Sequence, residues 1–355
     1  MRAAINHIYK KHWYYFLILL VAFIGIKTLS AGSLGRPGVA KTELDTWVSD
    51  CEDMDGSEIE VYLSELQDTY YSSQYTSSEA IREVSEFSHS FQNMKSVTQL
   101  MEFSEAKEGS LPKSLPANYM ELLDFYKELK SPSVINESKL DIYFELQKFS
   151  MVVVFVVLLS AFFFGRHYET DVYKFADTTK YGRKYNRAIR GSVLSISCLV
   201  LLLNELFDLL YSGLLLNRNI LMASLQSYQT FANTQINGCI WQVLVLMMVS
   251  KLAGVLLVCQ CVELFVRWRK NTKDTLVLSF CGLLLFYFVS KSLADTGVGA
   301  IVQVGLLDWQ AMIGKSVLLL PVQVTALEIG CVVMCMSVAG VFVNRLVWRR
   351  KRLWR

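Results

Sequence analysis

Four ionisable side chains stand inside strongly apolar runs, and these are the residues best placed to do chemistry. Glu205 and Asp208 lie three apart in GSVLSISCLVLLLNELFDLL, with Asn204 beside them. Lys251 sits in the middle of CIWQVLVLMMVSKLAGVLL, and Glu328 lies within VQVTALEIGCVV. A charge at the centre of a membrane-crossing helix costs at least about 2.5–3.5 kcal/mol, so such groups pair or line water. At ~1.5 Å per helical residue, Glu205 and Lys251 lie roughly 16 and 18 Å from the outer ends of their segments. The matched depth predicts a Glu205–Lys251 ion pair tying neighbouring helices, with Asp208 and Glu328 nearer an outer vestibule. Two roles stay open for these charges: packing glue, or part of a translocation pathway.

No catalytic constellation accompanies them. The four histidines are His7, His12, His89 and His167, all outside the apolar segments, and neither HExxH nor GxSxG occurs. Gly314-Lys315-Ser316 imitates the end of a phosphate-binding loop, but the glycine required five residues before Gly314 is replaced by Trp309. Neither Cys259-x-Cys261 nor Cys331-x3-Cys335 has a neighbouring His, so no metal site is expected. Enzymatic activity and a bound cofactor are therefore not expected of this chain. Asn136-Glu137-Ser138 matches the glycosylation pattern, as three-residue stretches also do by chance.

The elements that must hold the buried charges follow from composition. Of 355 residues, 53% are hydrophobic and only 19% charged, with a mean hydropathy of +0.33. Soluble chains average about 25% charge, so a soluble single-domain enzyme is excluded. The net charge of +3 conceals a segregation: residues 32–147 hold 9 Lys/Arg against 22 Asp/Glu, a net −13, leaving +16 for the rest. That balance argues against a nucleic-acid partner.

The predicted fold is an all-α polytopic membrane protein with six transmembrane helices and an α-helical extracellular domain between the first and second. The spans run Trp13–Leu29, Phe149–Gly165, Gly191–Leu216, Cys239–Phe265, Thr275–Ser290 and Val322–Val343. The fifth, at about 16 residues, is short of the ~20 needed to cross and must extend into its flanks or thin the bilayer locally. Basic clusters follow one side only: Arg2, Lys10 and Lys11; Arg166 to Arg190; Arg267 to Lys273; Arg345 to Arg355. The positive-inside rule makes that side cytoplasmic, with both termini inside the plasma membrane. Residues 297–320, broken by four glycines and Asp308, read as a pair of short outer helices, since a seventh span would place the basic tail outside.

Three regions result. Residues 1–31 hold an interfacial helix and the first span, read as an uncleaved anchor. Residues 32–147 form the acidic extracellular domain, and residues 148–355 hold spans two to six. In the acidic domain Leu44, Trp47, Val48 and Cys51 recur at helical spacing, as do Ile59, Tyr62, Leu63, Leu66 and Tyr70, then Ile81, Val84 and Phe87. Ser57-x-x-Glu60 and Thr76-x-x-Glu79 read as capping boxes. A further helix is expected near Tyr119–Leu129. From Glu137 one helix is expected to enter the second span. The acidic surface reads as a solvated face, as a collector of cationic substrate, or as a docking face for another protein.

The segment FFFGRHYETDVYKFADTTKYGRKYNRAIRG, residues 162–191, is the most specific. Glu169 and Asp171 form an acidic turn, Val172–Ala176 a short helix, and Thr178, Thr179, Tyr181, Gly182 and Arg183 a Thr-x-x-Gly-Arg-like element before a basic run. This pattern resembles permease subunits of type 2 ABC (ATP-binding-cassette) exporters of the Gram-positive bacterial kind. The family's Lys at the mouth of the third helix is replaced by Arg187 or Arg190, and its Gly after the acidic turn by Val172 and Tyr173. The resemblance covers about 20 positions in specific residues and the whole chain in topology.

What the resemblance implies is a permease that forms the translocation pathway for an amphiphilic substrate such as a peptide, drug or lipid. Residues 166–190 would be the coupling loop, with Glu169, Asp171, Thr179, Tyr181, Gly182 and Arg183 meeting a cytoplasmic ABC ATPase subunit. ATP and Mg would bind in that partner. A second permease copy or a homologous permease would complete the pathway, in contact with membrane lipid. The alternative is a non-transporting scaffold or sensor whose helical extracellular domain binds a ligand or protein.

Overall fold

A computed structural model describes residues 2–33, 42–72, 77–106, 124–148, 151–169, 180–232, 237–292, 317–319, 322–324 and 339. In chain order the helices are α1 (Arg2–Ser33), α2 (Glu43–Asp50), α3 (Gly56–Ser72), α4 (Ser78–Ala106), α5 (Glu137–Lys148), α6 (Met151–Glu169), α7 (Lys180–Tyr211), α8 (Arg218–Met222), α9 (Ile240–Arg269) and α10 (Thr272–Ser292). Two compact units result. One comprises Met1–Ser33, Leu146–Phe207 and Met247–Arg355; the other comprises Leu34–Glu145 and Asp208–Leu246.

The first unit is built around α6. Phe155, Val157, Leu159, Ala161, Phe163 and Phe164 are buried together with Ile189 and Val193 of α7 and Val262 and Val266 of α9. Phe23 of α1 meets Phe155 at 5.5 Å between ring centroids, and α10 packs along α6. The helices around this centre are inverted relative to a soluble bundle. On α7, Leu199, Leu202, Leu203, Leu206 and Leu210 are exposed while Ser197, Asn204 and Glu205 are buried. On α9, Trp241, Val245 and Val249 face outward, with Ser250 and Lys251 inside. An apolar exterior over a polar interior suits hydrocarbon and would be unstable in water.

Three stretches are long and apolar enough to cross a membrane: Glu137–Glu169, Arg187–Tyr211 and Ile240–Arg269. The apolar part of α1, Leu17–Ser33, is shorter. The residues of the expected fifth span lie in α10, which runs 21 residues but is not among these three stretches. The expected sixth span and the outer short-helix pair at 297–320 lie almost wholly outside the described residues. Where they are described, helix gives way to strand. Val317–Leu319 (β1) and Val322–Val324 (β2) pair antiparallel in the register Val317↔Val324, Leu318↔Gln323 and Leu319↔Val322. β-branched residues on either side of Pro321, which has no N–H to give a helix, account for that correction.

The stretch long and apolar enough to cross runs Arg187–Tyr211, against the expected Gly191–Leu216. α7 is described from Lys180, eleven residues before the expected Gly191. It ends at Tyr211, where Gly213 takes φ 74°, a conformation that glycine enters without steric cost. The Gly213 N–H then bonds the Leu210 carbonyl at 3.0 Å, closing the helix as a glycine terminator does. Leu214–Leu216 forms a 3-10 turn instead of the helix's last turn.

A close approach fixes the α6–α10 contact. A Cβ on Gly165 would lie 2.5 Å from Thr272 Oγ1 and 2.9 Å from Thr272 Cα, so no side chain fits there. The turn Lys270-Asn271 reverses the chain tightly between α9 and α10, with Lys270 at φ 55° and its N–H on the Val266 carbonyl at 2.7 Å.

The second unit has its own core: Leu44, Trp47, Val48, Cys51, Ile59, Leu63, Val84, Phe87, Phe91 and Val134. Trp47 meets Tyr70 edge-on at 5.4 Å and Phe87 at 6.3 Å. α2 opens on a reciprocal capping box in which Thr42 and Asp45 exchange bonds. At α3 the box is Asp55-x-x-Glu58, not Ser57-x-x-Glu60. Asp55 Oδ1 accepts from the N–H groups of Ser57 and Glu58 at 2.8 and 2.9 Å, and the Asp55 N–H bonds Glu58 at 2.9 Å. A carboxylate outcompetes a hydroxyl for the positive end of a helix, and bonds from Ser57 and Glu58 hold the Asp55 pKa below its usual value. Glu60 instead pairs with Lys95 at 3.0 Å. At α4 the cap is Ser77, which accepts from the Ala80 N–H at 3.2 Å; Thr76 lies outside the described residues. Of the helix expected near Tyr119–Leu129, the described part is one helical turn at 124–127.

The acidic domain of residues 32–147 is not the whole of this unit, because Asp208–Leu246 folds into it. Asn93 donates to the carbonyls of Gln226 and Ser227 at 3.0 and 3.1 Å. Phe144 stacks on Tyr228 at 5.9 Å, and Phe231 closes edge-on against both. The Asn136 of the glycosylation pattern is buried. Its amide donates to Asp45 at 2.9 Å and Lys139 pairs with the same carboxylate at 2.8 Å, so the folded unit offers no amide for modification.

Two predictions follow from these contacts. Alanine ordinarily stabilises a helix by about 1 kcal/mol over glycine, but overpacking costs about 1–3 kcal/mol. Gly165→Ala should therefore lower the thermal unfolding temperature in detergent; an increase would show that the α6–α10 approach is looser than described. Burial, with Asp50 adding, pushes the Cys51 thiol up to about 11. Its contribution to stability is complete below pH 9 and is lost as the pH climbs through about 11. In a variant retaining Cys51 alone, maleimide should react at neutral pH only on unfolding. Labelling of the folded protein would contradict the burial.

Candidate functional site

Two of the four charges singled out in the sequence, Glu205 and Lys251, meet in space. Lys251 Nζ of α9 lies 2.9 Å from Glu205 Oε1 of α7, with Lys251 1% and Glu205 3% exposed. A third residue closes the group. Gln147, in the last turn of α5, accepts from Lys251 Nζ at 2.5 Å and donates to Glu205 Oε2 at 3.2 Å. The amide thus satisfies one atom of each charged partner. One residue back, the Leu146 carbonyl accepts from Lys27 of α1 at 3.2 Å, and Lys27 is also buried. Four helices are thereby tied by polar contacts at one place. In hydrocarbon, which offers no alternative partner, each such contact would hold its helices in register.

Asp208 lies one turn further along α7 and is fully buried, its carbonyl accepting from the Ser212 N–H at 3.0 Å. Glu328 lies outside the described residues, as do Asp171 and Thr179. Tyr181, Gly182 and Arg183 fall in the first turn of α7, so the loop expected over 166–190 is helical at both ends. Glu169, expected to face a partner, is used internally: its Oε1 accepts from the Thr272 N–H at 2.7 Å and its Oε2 pairs with Arg166 at 3.3 Å. It therefore caps α10, leaving less of its carboxylate for an outside partner.

A second polar cluster occupies the other end of the same helices. Glu263 Oε1 of α9 receives Arg190 Nε of α7 and Arg267 Nη2, each at 2.5 Å. Arg267 Nε donates to Tyr168 of α6 at 3.0 Å. Between the two clusters Ser160 of α6 meets Cys259 at 3.3 Å, and Cys259 meets Ser197 of α7 at 3.6 Å.

Gln147, Lys27 and Glu263 were missed in the sequence. The signal for Glu263 was present: a carboxylate in the apolar run CQCVELFV with Arg267 four residues on, the spacing of a helical ion pair. Gln147 carried no such signal, since a glutamine at the edge of an apolar run is ordinary.

The second unit carries a cleft of about 350 Å³. Its wall includes Val48, Cys51, Met54, Ile59, Met94 and Met222, with Glu52, Lys130 and Asn219 as polar members. Lys130 donates to the Met222 carbonyl at 2.5 Å, and Asn219 bonds Glu52. Such a wall suits an apolar or amphiphilic body. Among the described residues no three His, Cys, Asp or Glu side chains gather as a metal ion would need.

The ion pair makes a direct prediction. Removing one partner of a buried pair costs about 3–5 kcal/mol, whereas replacing both by neutral groups of similar size is far milder. Glu205→Gln and Lys251→Met should each sharply lower the unfolding temperature in detergent, and the double variant should recover most of the loss. A double variant no better than either single one would mean that pairing is not what these residues supply.

Compared with protein-family models, with curated proteins and with solved structures, the chain matches none of them.

Proposed function

We propose that this chain is the membrane-spanning permease subunit of an ATP-driven ABC exporter, working with separate ATPase subunits. One observation carries the reading: both flanks of the segment bearing the exporter-like residues are tied into the helices. On the α6 side Glu169 caps α10 through Thr272, and Tyr168 bonds Arg267 of α9. On the α7 side Arg190 pairs with Glu263 of α9. A push on the segment between Glu169 and Arg183 would reach α6, α7, α9 and α10 together, as coupling to an ATPase requires.

In this reading six spans cross the plasma membrane with both termini cytoplasmic and the acidic helical unit outside. The partner hydrolyses ATP with Mg, and a second permease copy or a homologue completes the pathway. Glu205, Lys251 and Gln147 form a polar step within the bundle, and an amphiphile such as a peptide, drug or lipid is the substrate class. The cleft beside Lys130 favours a second reading, a scaffold or sensor whose helical unit binds a ligand.

Purification of the tagged chain from its native membrane in mild detergent, followed by mass spectrometry, separates the two. A near-stoichiometric ABC ATPase should copurify and be depleted from a Glu169→Ala/Arg183→Ala variant whose unfolding temperature is checked in parallel. Recovery with no ATPase from the unmodified chain would remove the permease reading and leave the sensor.

A further inference from the structure

Among the described residues, the cluster at the basic ends of α6, α7 and α9 holds more positive charge than it neutralises. Arg190 and Arg267 converge on the single carboxylate of Glu263, both on Oε1 at 2.5 Å. The formal sum is one positive charge in a largely buried place. Arg267 is only 9% exposed. Its Nη2 is used by Glu263 and its Nε by Tyr168, but its Nη1 is buried and meets no acceptor among the described residues. A buried donor left without an acceptor costs about 1–3 kcal/mol, more when charged.

Access comes through Arg190. Its side chain is 31% exposed, and its contact to Glu263 uses Nε, leaving both terminal nitrogens of the fork outside that bond. The depth is marked by the next residues of α9. Trp268 is 68% exposed with the Arg269 guanidinium stacked on it at 4.6 Å. An exposed Trp beside Arg at the end of an apolar helix belongs at the headgroup level. Two guanidinium groups at that level, one of them with a buried unmatched N–H, fit the oxygens of a phosphate group better than any neutral ligand.

We propose that Arg190 and Arg267, backed by Tyr168, form a binding site for a phosphate group, the phosphodiester of an anionic lipid headgroup being the form that this depth selects. The site rests on the helices lying in a membrane and not on the exporter reading. A basic pocket between spans on the positive side is suited to such headgroups. Glu263 sets the strength of the site, since it orients both arginines and at the same time repels the incoming anion.

The test uses the full chain, stripped of lipid in detergent, with three additives at matched concentration: phosphatidylglycerol, phosphatidylcholine and inorganic phosphate. Thermal unfolding reads stabilisation, and native mass spectrometry counts retained lipid. Phosphatidylglycerol should raise the unfolding temperature and stay bound at one molecule per chain, with phosphatidylcholine far weaker. Arg267→Gln should weaken phosphatidylglycerol binding by roughly tenfold or more, the scale of a lost charged hydrogen bond. Glu263→Gln keeps both arginines and removes the repelling carboxylate, so it should bind more tightly than the unmodified chain. This second variant keeps the test valid if Arg267→Gln fails to fold. Stabilisation by inorganic phosphate, strengthened in Glu263→Gln, would keep the phosphate site but make its ligand soluble. Equal effects of both lipids, or a phosphatidylglycerol response unchanged in the variants, would overturn the proposal.

Discussion

The ammonium of Lys251 is the group around which α7, α9 and the end of α5 are tied together. An isolated cation inside an apolar bundle is too costly to keep, and hydrocarbon cannot hydrogen-bond it. Glu205 supplies the opposite charge and Gln147 a neutral acceptor, so two of its three N–H groups have partners in the chain. The same need accounts for the inverted surfaces of α7 and α9. Each must turn its polar face toward the other and its leucines, valines and tryptophan outward. Change the pairing, and the rotation of both helices about their axes loses its anchor.

α6 makes this arrangement possible by being almost wholly apolar and closely packed. Gly165 lets the backbone of α10 approach, and the phenylalanines and valines of α6 fill the space between the other helices. Dispersion and close packing then set the distances, while the two polar clusters set the register at either end. Packing alone would tolerate sliding by a turn; a buried ion pair would not, because a slip of 5.4 Å separates its partners entirely. In the Arg190–Glu263–Arg267 group only Arg190 is partly exposed, with Arg267 and Glu263 buried.

The acidic unit obeys the rules of a soluble helical domain. Its helices are amphipathic, its starts are capped, and its core is aromatic. What distinguishes it is assembly from two segments far apart in the chain, joined by side chains that bond main-chain carbonyls, as Asn93 does with Gln226 and Ser227. Its buried polar contacts, Asp45 with Lys139 and Asn136, are likewise matched donor to acceptor. A net charge of −13 over residues 32–147 coexists with a compact core because the carboxylates lie mainly on solvated faces or helix starts.

By itself the sequence determined what depends on local pattern. Hydropathy found the three stretches long and apolar enough to cross a membrane, the 3.6-residue period found Leu44, Trp47, Val48, Ile59, Leu63, Val84 and Phe87 as core positions, and similar counting along the helices paired Glu205 with Lys251. These follow from one helix or from a helix and its distance to the membrane edge, and such quantities are written along the chain. Cap positions were legible only in kind, because Asp55 and Ser77 compete with neighbours two or one residues away. Tertiary structure decided the rest. The recruitment of Asp208–Leu246 into the acidic unit, the burial of Asn136, the use of Glu169 as a cap for α10 and the entry of Gln147 between two charges all depend on residues distant in sequence meeting in space. A glutamine, an asparagine or a surface carboxylate has no periodicity that announces its partner; only the packed arrangement supplies the acceptor, and with it the role.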